Sequence, residues 1–203
     1  MRLPRNCHPW APFAKSTDAP ATAANLILDN VEVTNEASPG PAPQKRARAI
    51  SMTPAEMDAF LAERRVCRLG TVQADGSPHV TPIWYVWDGA ELWFYSIIKS
   101  QRWTNVLRDP RVSAVVDAGE AEYFQLRGVE MIGEVEVVGE QPRVGDPSPE
   151  LEGPERLFGE RYFGGPLDGY DGRHAWLRMR PRKVVSWDFR KLSGTESITN
   201  PNR

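Results

Sequence analysis

Two Asp-Gly pairs, Asp75-Gly76 and Asp88-Gly89, constrain the fold of this chain more than any other sequence feature. They separate short segments rich in β-branched and aromatic residues, a composition that is typical of strands. An Asp-Gly pair favours a hairpin because glycine adopts positive φ without strain, and we expect a type I′ turn at the first pair. Since tight turns join antiparallel neighbours, residues 66–73, 79–87 and 91–96 are predicted to form a three-stranded meander.

A helix is predicted before the meander, from Pro54 to about Arg64. Thr53 and Glu56 have the spacing of a capping box, and Pro54 occupies the first helical position, where proline is favoured. One stripe of this helix is apolar and consists of Met57, Phe60 and Leu61. We therefore expect the helix to cover an apolar interior.

Further elements are predicted after the meander, in this order: strands at 111–117 and 123–138, a loop at 139–153, a helix at 154–163, and two strands at 173–180 and 183–189. The last two strands are expected as a hairpin-like pair broken at Pro181. Gly128 and Gly133 interrupt the long strand and are predicted to form bulges or bends. Six or seven strands with mostly short turns indicate a mainly β chain with some helix, folded as an antiparallel barrel with helices over its openings.

The chain has 203 residues, which is enough for one domain with a substantial core. Residues 1–50 are rich in Pro, Ala, Thr, Ser and Asn and show no sustained period, so we expect a disordered extension there. The folded domain is predicted at 51–193, and a short tail is predicted at 194–203.

Composition argues against several classes of function. A formal net charge of -2 lacks the basic excess of nucleic-acid-binding domains. No apolar run approaches the roughly 20 residues that cross a bilayer. Any signal-peptide core is interrupted by Pro4, Pro9 and Pro12. We therefore expect a cytoplasmic protein with neither nucleic acid nor a membrane as its partner.

The cysteines and histidines predict neither a disulfide nor a metal site. Cys7 lies in the proline-rich region, and Cys67 lies inside a predicted strand, where it is expected to be a small buried hydrophobic residue. The histidines lack the spacing of metal ligands, and they are His8, His79 and His174. No metal-binding residue is predicted.

The segment from Tyr95 to Arg111 contains the clearest signal for a ligand. Ser100 stands at the N-cap position of a predicted helix that Pro110 ends. A helix N-terminus attracts anions through its free N–H groups and its dipole, and Lys99 and Arg102 add positive charge there. The pattern predicts a phosphate site. The alternative is a solvated basic helix face without a ligand.

Periodicity favours the phosphate site over this alternative. The core stripe of the helix is predicted to consist of Trp103, Val106 and Leu107. Arg102 and Asn105 would then lie on a different face, which a ligand could occupy.

Several motifs in the order found here point to a known family. They are the opening helix, Leu69-Gly70-Thr71 with Asp75-Gly76 and Pro78, the strand Val80-Thr81-Pro82-Ile83-Trp84, the block from Tyr95-Ser96 to Asn105 with Asp109-Pro110-Arg111, and Pro181 with Val184-Val185-Ser186-Trp187. From about residue 52 to 191, the chain resembles the flavin-binding split β-barrels of the pyridoxamine 5′-phosphate oxidase-like superfamily. The branch that uses the deazaflavin coenzyme F420 looks most similar. The resemblance implies a split barrel that forms a homodimer, with cofactor sites between the subunits.

In the oxidases of this superfamily, a block that reads roughly Tyr-Thr-x-x-x-Ser-Arg-Lys holds the phosphate of FMN. The resemblance assigns Ser96 to the Thr position, Ser100 to the Ser, Gln101 to the Arg and Arg102 to the Lys. Gln101 removes one cation, for which we expect Lys99 to compensate, and this departure favours a cofactor whose phosphate is placed differently. The strand that lines the cofactor ring in the family corresponds here to Thr81, Pro82, Ile83 and Trp84. Pro82 cannot donate to a strand ladder, so its position is predicted to be an edge or a ligand-lined bulge.

The resemblance implies an oxidoreductase in which reduced F420 donates hydride to a small electrophilic organic acceptor. FMN is the alternative cofactor. The alternative functions are a flavin, deazaflavin or haem carrier or sensor without turnover, and a structural dimer without a cofactor. No catalytic residue is predicted, although groups that could protonate or orient a substrate are Tyr95, Tyr123 and the pair Arg173-His174.

Overall fold

The structure, a computed structural model, describes residues 44–45, 47–119, 121–167 and 169–192. Most of the predicted extension at 1–50 and the whole predicted tail at 194–203 lie outside these residues. The described helices and strands are α1 (Pro54–Glu63), β1 (Val66–Val72), β2 (Pro78–Trp87), β3 (Leu92–Ile97), α2 (Gln101–Arg108), β4 (Arg111–Ala118), β5 (Arg127–Val138), α3 (Pro149–Phe163) and β6 (His174–Asp188). Short 3₁₀ turns lie at Arg48–Ile50, Tyr123–Gln125 and Phe189–Leu192. Upstream of the predicted boundary at 51, the Gln44 side chain makes two hydrogen bonds to the backbone of Ser186, at 3.2 and 2.9 Å.

Six antiparallel strands close into a barrel in the order β1-β2-β3-β6-β5-β4. The predicted architecture, a mainly β antiparallel barrel with short helices, is confirmed. β2 pairs with β1 from Pro78 to Trp84, but it pairs with β3 only from Tyr85 to Trp87. The β3 side of β2 is therefore open along Pro78–Trp84, and the barrel is split there.

The apolar core has two parts, one inside the barrel and one outside it. α1 begins with the predicted capping box, and its Phe60 and Leu61 are buried in the cluster that fills the barrel. α3 packs on the outer strand faces through Leu151 and Phe158, where it meets a cluster that includes Trp176 of β6. α1 thus covers the interior as predicted, whereas α3 is held against the outer wall.

Both predicted Asp-Gly turns are present, but the first is not of type I′. That type requires positive φ at both central residues, and at this turn only Gly76 has it, with φ of 85°. The Gly76 N–H donates to the Gln73 carbonyl and the Gln73 N–H donates to that of Ser77, as in a type I turn followed by a glycine bulge. Asp75 Oδ1 stabilises this turn by accepting a hydrogen bond from the Ser77 N–H at 2.9 Å.

The predicted strand at 123–138 begins later than expected, at Arg127. Tyr123–Gln125 form a 3₁₀ turn instead, because the chain is still reversing after Gly119 and closes short-range backbone hydrogen bonds there. Gly133 lies at a bulge, as predicted. Gly128 forms no bulge, because it pairs regularly with Trp187. A Cβ at Gly128 would lie 2.1 Å from Trp187 Cζ2, so the indole ring requires glycine at this position.

Two further predicted boundaries are wrong. α3 begins at Pro149 rather than at Pro154, and the predicted loop at 139–153 is correspondingly shorter. Both prolines suit a first helical turn, but Pro149 occupies it and Pro154 lies inside the helix. The expected pair of strands at 173–180 and 183–189 is one continuous strand, β6. Pro181 does not end it, because a bulge opposite Gly133 accommodates the missing N–H group.

Candidate functional site

α2 begins just after β3, as the sequence predicts, and Ser100 is its N-cap. The Ser100 hydroxyl accepts a hydrogen bond from the Trp103 N–H at 3.3 Å and donates one to the Ile97 carbonyl at 2.7 Å. The helix ends at Arg108, before Pro110. Ser100 therefore stabilises the start of the helix with both functions of its hydroxyl group.

The core stripe of α2 differs from the prediction at two residues. Trp103 and Val106 are buried, but Leu107 is 58% exposed, because this short helix meets the barrel core only through the first two. Asn105 does not lie on a ligand face; it is fully buried, and its Nδ2 donates to Thr71 Oγ1 at 2.9 Å. The Thr71 hydroxyl provides the partner that a buried amide requires.

Arg102 fills the split between β2 and β3. Its Nε donates to Ser96 Oγ of β3 at 3.0 Å, and its Nη1 donates to Thr81 Oγ1 of β2 at 3.3 Å. A guanidinium group has five N–H donors, so two bonds orient its plane while three donors remain. Burial lowers the pKa of Arg102, because desolvation disfavours its charged form.

Within the described part of the chain, Arg102 has no carboxylate partner. Two other poorly exposed arginines have such partners: Arg143 pairs with Glu140 and Glu155, and Arg178 pairs with Glu136 and Glu150. Arg161 also has no carboxylate partner among the described residues, but it donates to the Leu61 carbonyl and does not line the cleft. A partly buried cation without a counter-charge is costly unless an anion neutralises it. Arg102 could therefore hold an anionic group of a ligand.

Arg102 lines a cleft of about 690 Å³ between the split strands, α3 and the loop that follows α3. The walls are mostly apolar and include Pro82, Ile83, Trp84, Phe158, Phe163 and Leu167. The Trp84 indole stacks on Tyr162 of α3, with ring centroids 4.4 Å apart and planes inclined by 5°. A largely apolar cleft with one cation suits an aromatic ring system that carries an anionic group.

The open edge of β2 adds backbone hydrogen-bonding groups to the cleft. The Tyr162 hydroxyl accepts a hydrogen bond from the Tyr85 N–H at 3.1 Å. Its single proton can be donated to the carbonyl of Arg65, just before β1, or to that of Tyr85, which lie 2.7 and 2.8 Å away. The backbone groups of Tyr85 therefore face the β1 side. Because successive strand residues direct these groups to opposite sides, those of Pro82 and Trp84 face the open side. Pro82 has no N–H to leave unpaired, which agrees with the prediction that it lies at an edge.

The structure places the predicted site residues in three settings. Four of them line the cleft, namely Pro82, Ile83, Trp84 and Arg102. Thr81 and Ser96 hold the guanidinium group. Outside the cleft lining, Lys99 is exposed, Ser100 caps α2, and the Gln101 amide donates to Asn105 Oδ1 at 2.9 Å. Arg102 is thus the single lysine or arginine among the described residues that lines the cleft.

Three of the polar residues that line the cleft form a cluster: Tyr95, Asp171 and His174. Asp171 Oδ2 lies 2.7 Å from His174 Nδ1, and the imidazole stacks on Tyr95 with ring centroids 4.8 Å apart. Tyr95 and His174 are among the substrate-contact residues that the sequence offers, whereas Tyr123 is 60% exposed and packs on Phe189 instead. Asp171 was missed. The sequence signal that could have identified it is a short polar side chain just before a strand, where it can accept hydrogen bonds from its own turn.

Cys67 is buried inside the barrel, as expected, and burial raises the pKa of its thiol to about 12. In the described ranges, no group of three or more His, Cys, Asp or Glu side chains could hold a metal ion. None of the described helices is long and apolar enough to cross a membrane.

The antiparallel barrel is open between β2 and β3, and Arg102 of α2 fills the opening, an arrangement that defines a protein of the split β-barrel class. The model of the pyridoxamine 5′-phosphate oxidase family matches residues 53–188, and the chain belongs to this family. The family resemblance predicted from the motifs is thereby confirmed.

Solved structures share the fold of this chain. The conserved hypothetical protein Rv2991 from Mycobacterium tuberculosis is 34% identical, with a TM-score of 0.63 over 78% of this chain and 99% of that chain. The haem storage protein HutZ from Vibrio cholerae is 20% identical, with a TM-score of 0.52 over 65% and 93% of the two chains. A FAD-binding protein from Mesorhizobium loti is 19% identical, with a TM-score of 0.51 over 67% and 93%. The last two likenesses concern the fold alone. No curated protein matches the chain.

Proposed function

We propose that the protein is a cytoplasmic oxidoreductase that binds coenzyme F420 in this cleft and transfers hydride between it and a small electrophilic organic acceptor. The observation that carries the proposal is Arg102, a partly buried guanidinium group that Thr81 and Ser96 orient and that no described carboxylate neutralises. A phosphate would accept its remaining N–H donors. Membership of the pyridoxamine 5′-phosphate oxidase family supports a flavin-type ring as the rest of the ligand.

The other cleft residues fit such a ring. Trp84 and Phe163, which are 47% and 61% exposed, provide apolar contact area for a polycyclic aromatic system. The backbone groups of Pro82 and Trp84 that face the open edge provide partners for the polar edge of the ring. A volume of about 690 Å³ is within the range of small-molecule and cofactor sites.

The charge of the cleft favours F420 over FMN. The terminal phosphate of FMN is a monoester, which has a charge of roughly -1.5 to -2 near neutral pH. The phosphate of F420 is a diester with a single negative charge, as in a nucleic acid backbone. Because Gln101 replaces the second cation and Lys99 is exposed outside the cleft lining, Arg102 supplies one positive charge. One guanidinium group balances one phosphodiester, and FMN remains the alternative cofactor.

When bound, reduced F420 supplies the hydride, and the chain binds and orients the reactants and excludes water. Arg102 anchors the phosphate. The stacked pair Trp84 and Tyr162, together with Phe158, forms an apolar wall that fixes the ring and keeps water from the reacting atoms.

We also propose that a second copy of the chain covers the apolar residues beside the cleft. Val66, Val80 and Trp84 are 41%, 63% and 47% exposed on the neighbouring strands β1 and β2. Clustered apolar exposure is typical of interaction surfaces. Sedimentation equilibrium should therefore give twice the mass of one chain, and the mass of a monomer would contradict the homodimer.

Titration of the purified protein with F420 and with FMN, followed by ring fluorescence, tests the cofactor assignment. We expect micromolar or tighter binding of F420, and weaker binding of FMN. Arg102→Ala should weaken F420 binding at least about tenfold, or about 1.4 kcal/mol, because a charge-assisted phosphate contact is lost. The matched control Arg108→Ala removes a cation from the same helix outside the cleft lining, and it should change the Kd by less than about twofold.

Two results would refute the cofactor assignment: failure of the wild type to bind F420, or equal affinities in Arg102→Ala and Arg108→Ala. Binding of FMN alone would select the alternative cofactor. Turnover needs its own assay, in which reduced F420 is mixed with quinones, enones, nitroaromatics and biliverdin-like tetrapyrroles. We expect oxidation of F420 by at least one acceptor, and binding without any oxidation would indicate a carrier rather than an enzyme.

A further inference from the structure

The cofactor assignment leaves the cluster of Tyr95, Asp171 and His174 without a role. Asp171 Oδ1 accepts hydrogen bonds from the backbone N–H groups of Arg173 and His174, at 2.9 and 3.2 Å, and this turn fixes the carboxylate. Its Oδ2 lies 2.7 Å from His174 Nδ1. Because a carboxylate is an acceptor, it keeps a proton on Nδ1. Nε2 has no hydrogen-bond partner in the described chain, which leaves it for a molecule in the cleft.

The register between β3 and β6 relates His174 to the strand residue that holds Arg102. His174 pairs with Ile97, and the neighbouring pair is Ala175 with Ser96, the residue whose hydroxyl accepts from Arg102. Successive residues of a strand are about 3.3 Å apart along its axis. Their side chains point to opposite faces, so His174 lies with Tyr95 on the α3 side of the cleft, where the Tyr95 ring is 5.7 Å from that of Phe158. Arg102 lines the same cleft from the split, so a ligand that it anchors there can extend to the imidazole.

Charged and titratable groups reach the cluster from each neighbouring element. Tyr95 stacks on the imidazole from β3, and burial raises the pKa of its hydroxyl to about 12, so it stays protonated near neutral pH. Glu155 of α3 is already bonded to Arg143 and to Tyr170. Asp171 is thus the carboxylate in the described chain that contacts the imidazole.

We propose that His174, oriented by Asp171, is the proton donor for acceptors that contain a carbon–carbon double bond conjugated to a carbonyl group. This inference rests on the proposed F420-dependent activity. The acceptor takes up a hydride with its electron pair at the β-carbon, and the π electrons of the double bond move toward the carbonyl oxygen to give an enolate. Nε2 of the imidazolium then donates its proton to the enolate. The acceptor is reduced by two electrons and the cofactor is oxidised by two, and the proton that His174 recovers from water balances the one that the cofactor loses.

Binding of 4-nitrophenol to the cofactor-free protein tests the contact independently of activity. Its phenolate oxygen has the charge and hydrogen-bonding character of an enolate oxygen, and its absorbance reports binding. His174→Gln should weaken binding at least about fivefold, because a charge-assisted hydrogen bond is lost. Arg173→Gln, which alters the exposed neighbouring residue, should bind like the wild type. No binding to the wild type, or equal binding to wild type and His174→Gln, would overturn the assignment.

Turnover with two acceptors separates proton donation from a structural role. His174→Gln should lower kcat for cyclohex-2-en-1-one at least about 100-fold, a typical loss for a general acid. The Kd for F420 and the rate with 1,4-benzoquinone should change by less than about threefold, because the reduced quinone is a stable anion that takes its proton from water. Equal losses of rate with both acceptors would overturn the inference. A wild type that never oxidises F420 would refute the proposed function, and the 4-nitrophenol titration would then test the His174 contact by itself.

Discussion

Replacement of Arg143 by methionine should strongly destabilise the wall of the cleft. Arg143 is only 3% exposed and joins the loop after β5 to α3. Its guanidinium group donates to Glu155 at 2.7 and 3.2 Å, to Glu140 at 2.5 Å and to the Asp146 carbonyl at 2.6 Å. Methionine fills part of the same volume but leaves both carboxylates without their cation.

The magnitude follows from what the carboxylates retain. Removing one partner of a buried ion pair costs about 3–5 kcal/mol. The lower end applies, because Glu155 keeps hydrogen bonds from Trp176 Nε1 at 3.1 Å and from the Tyr170 hydroxyl at 3.0 Å, and Glu140 is partly exposed. We expect Arg143→Met to lower the free energy of unfolding by about 3 kcal/mol at neutral pH.

The loss should depend on pH in a defined direction. Burial alone would raise the pKa of Glu140, but backbone N–H groups and Arg143 outweigh it and lower the pKa from 4.5 to about 2. A carboxyl group with a lowered pKa contributes stability that is present above its unfolded pKa and is lost as pH falls through its folded pKa. The difference in stability between wild type and Arg143→Met should therefore shrink as pH falls from about 5 to about 2.

Urea denaturation followed by circular dichroism measures this difference from the midpoint and the m-value. Arg156→Met is the matched control, because Arg156 forms an exposed pair with Glu160 on α3 at 3.2 Å. That variant should lose less than about 0.5 kcal/mol. An Arg143→Met loss no larger than that of the control, or one that grows as pH falls, would refute the reasoning.

Two further predictions concern packing in the barrel. Gly128→Ala should destabilise by about 1–3 kcal/mol because its Cβ would overlap the Trp187 ring, whereas Gly153→Ala, in open space within α3, should stabilise by about 0.5–1 kcal/mol. Thermal melts compare the two variants, and shifts of the same sign would contradict the packing role of Gly128. In a Cys7→Ser variant, the Cys67 thiol should resist iodoacetamide at about pH 8 until urea unfolds the chain, since its pKa is raised to about 12 and the barrel shields it. Mass spectrometry measures the labelling, and equal rates in the folded and unfolded protein would contradict the buried position.

Local signals made much of the fold predictable. The capping box of Thr53 and Glu56, the N-cap Ser100 and the two Asp-Gly turns each depend on contacts within a few residues, so the sequence shows them directly. The predicted type of the first turn was wrong. Asp75 and Gly76 favour type I′ locally, but the backbone hydrogen bond between Gln73 and Ser77 closes a longer loop. The strand break expected at Pro181 was wrong for a related reason, since a bulge opposite Gly133 tolerates proline.

The cleft was predictable only on the side that β2 and α2 form. Its other wall, with Phe158 and the Trp84–Tyr162 stack, comes from α3, which follows β2 by more than sixty residues and has no motif that announces its partner. Asp171 was not predicted because its role depends on the contact between its carboxylate and the His174 ring, which the conformation of the turn before β6 determines. Asn105 was assigned to a ligand face because helical periodicity does not reveal that Thr71 offers a buried partner.

The positions that set the charge of the cleft differ in how strongly the fold constrains them. Arg102 is oriented by Ser96 and Thr81 on the two strands that flank the split, so its place is fixed by barrel topology. Lys99 and Gln101 are exposed at the start of the helix, and the Gln101 amide donates a hydrogen bond to Asn105. Replacing a cationic residue by glutamine at position 101 therefore changes the stability of the barrel little. A split barrel can therefore keep one phosphate anchor while the exposed first turn of α2 adapts to the charge of the ligand. We therefore propose that Gln101 helps to select which phosphate the cleft binds, whereas the binding of a phosphate depends on Arg102.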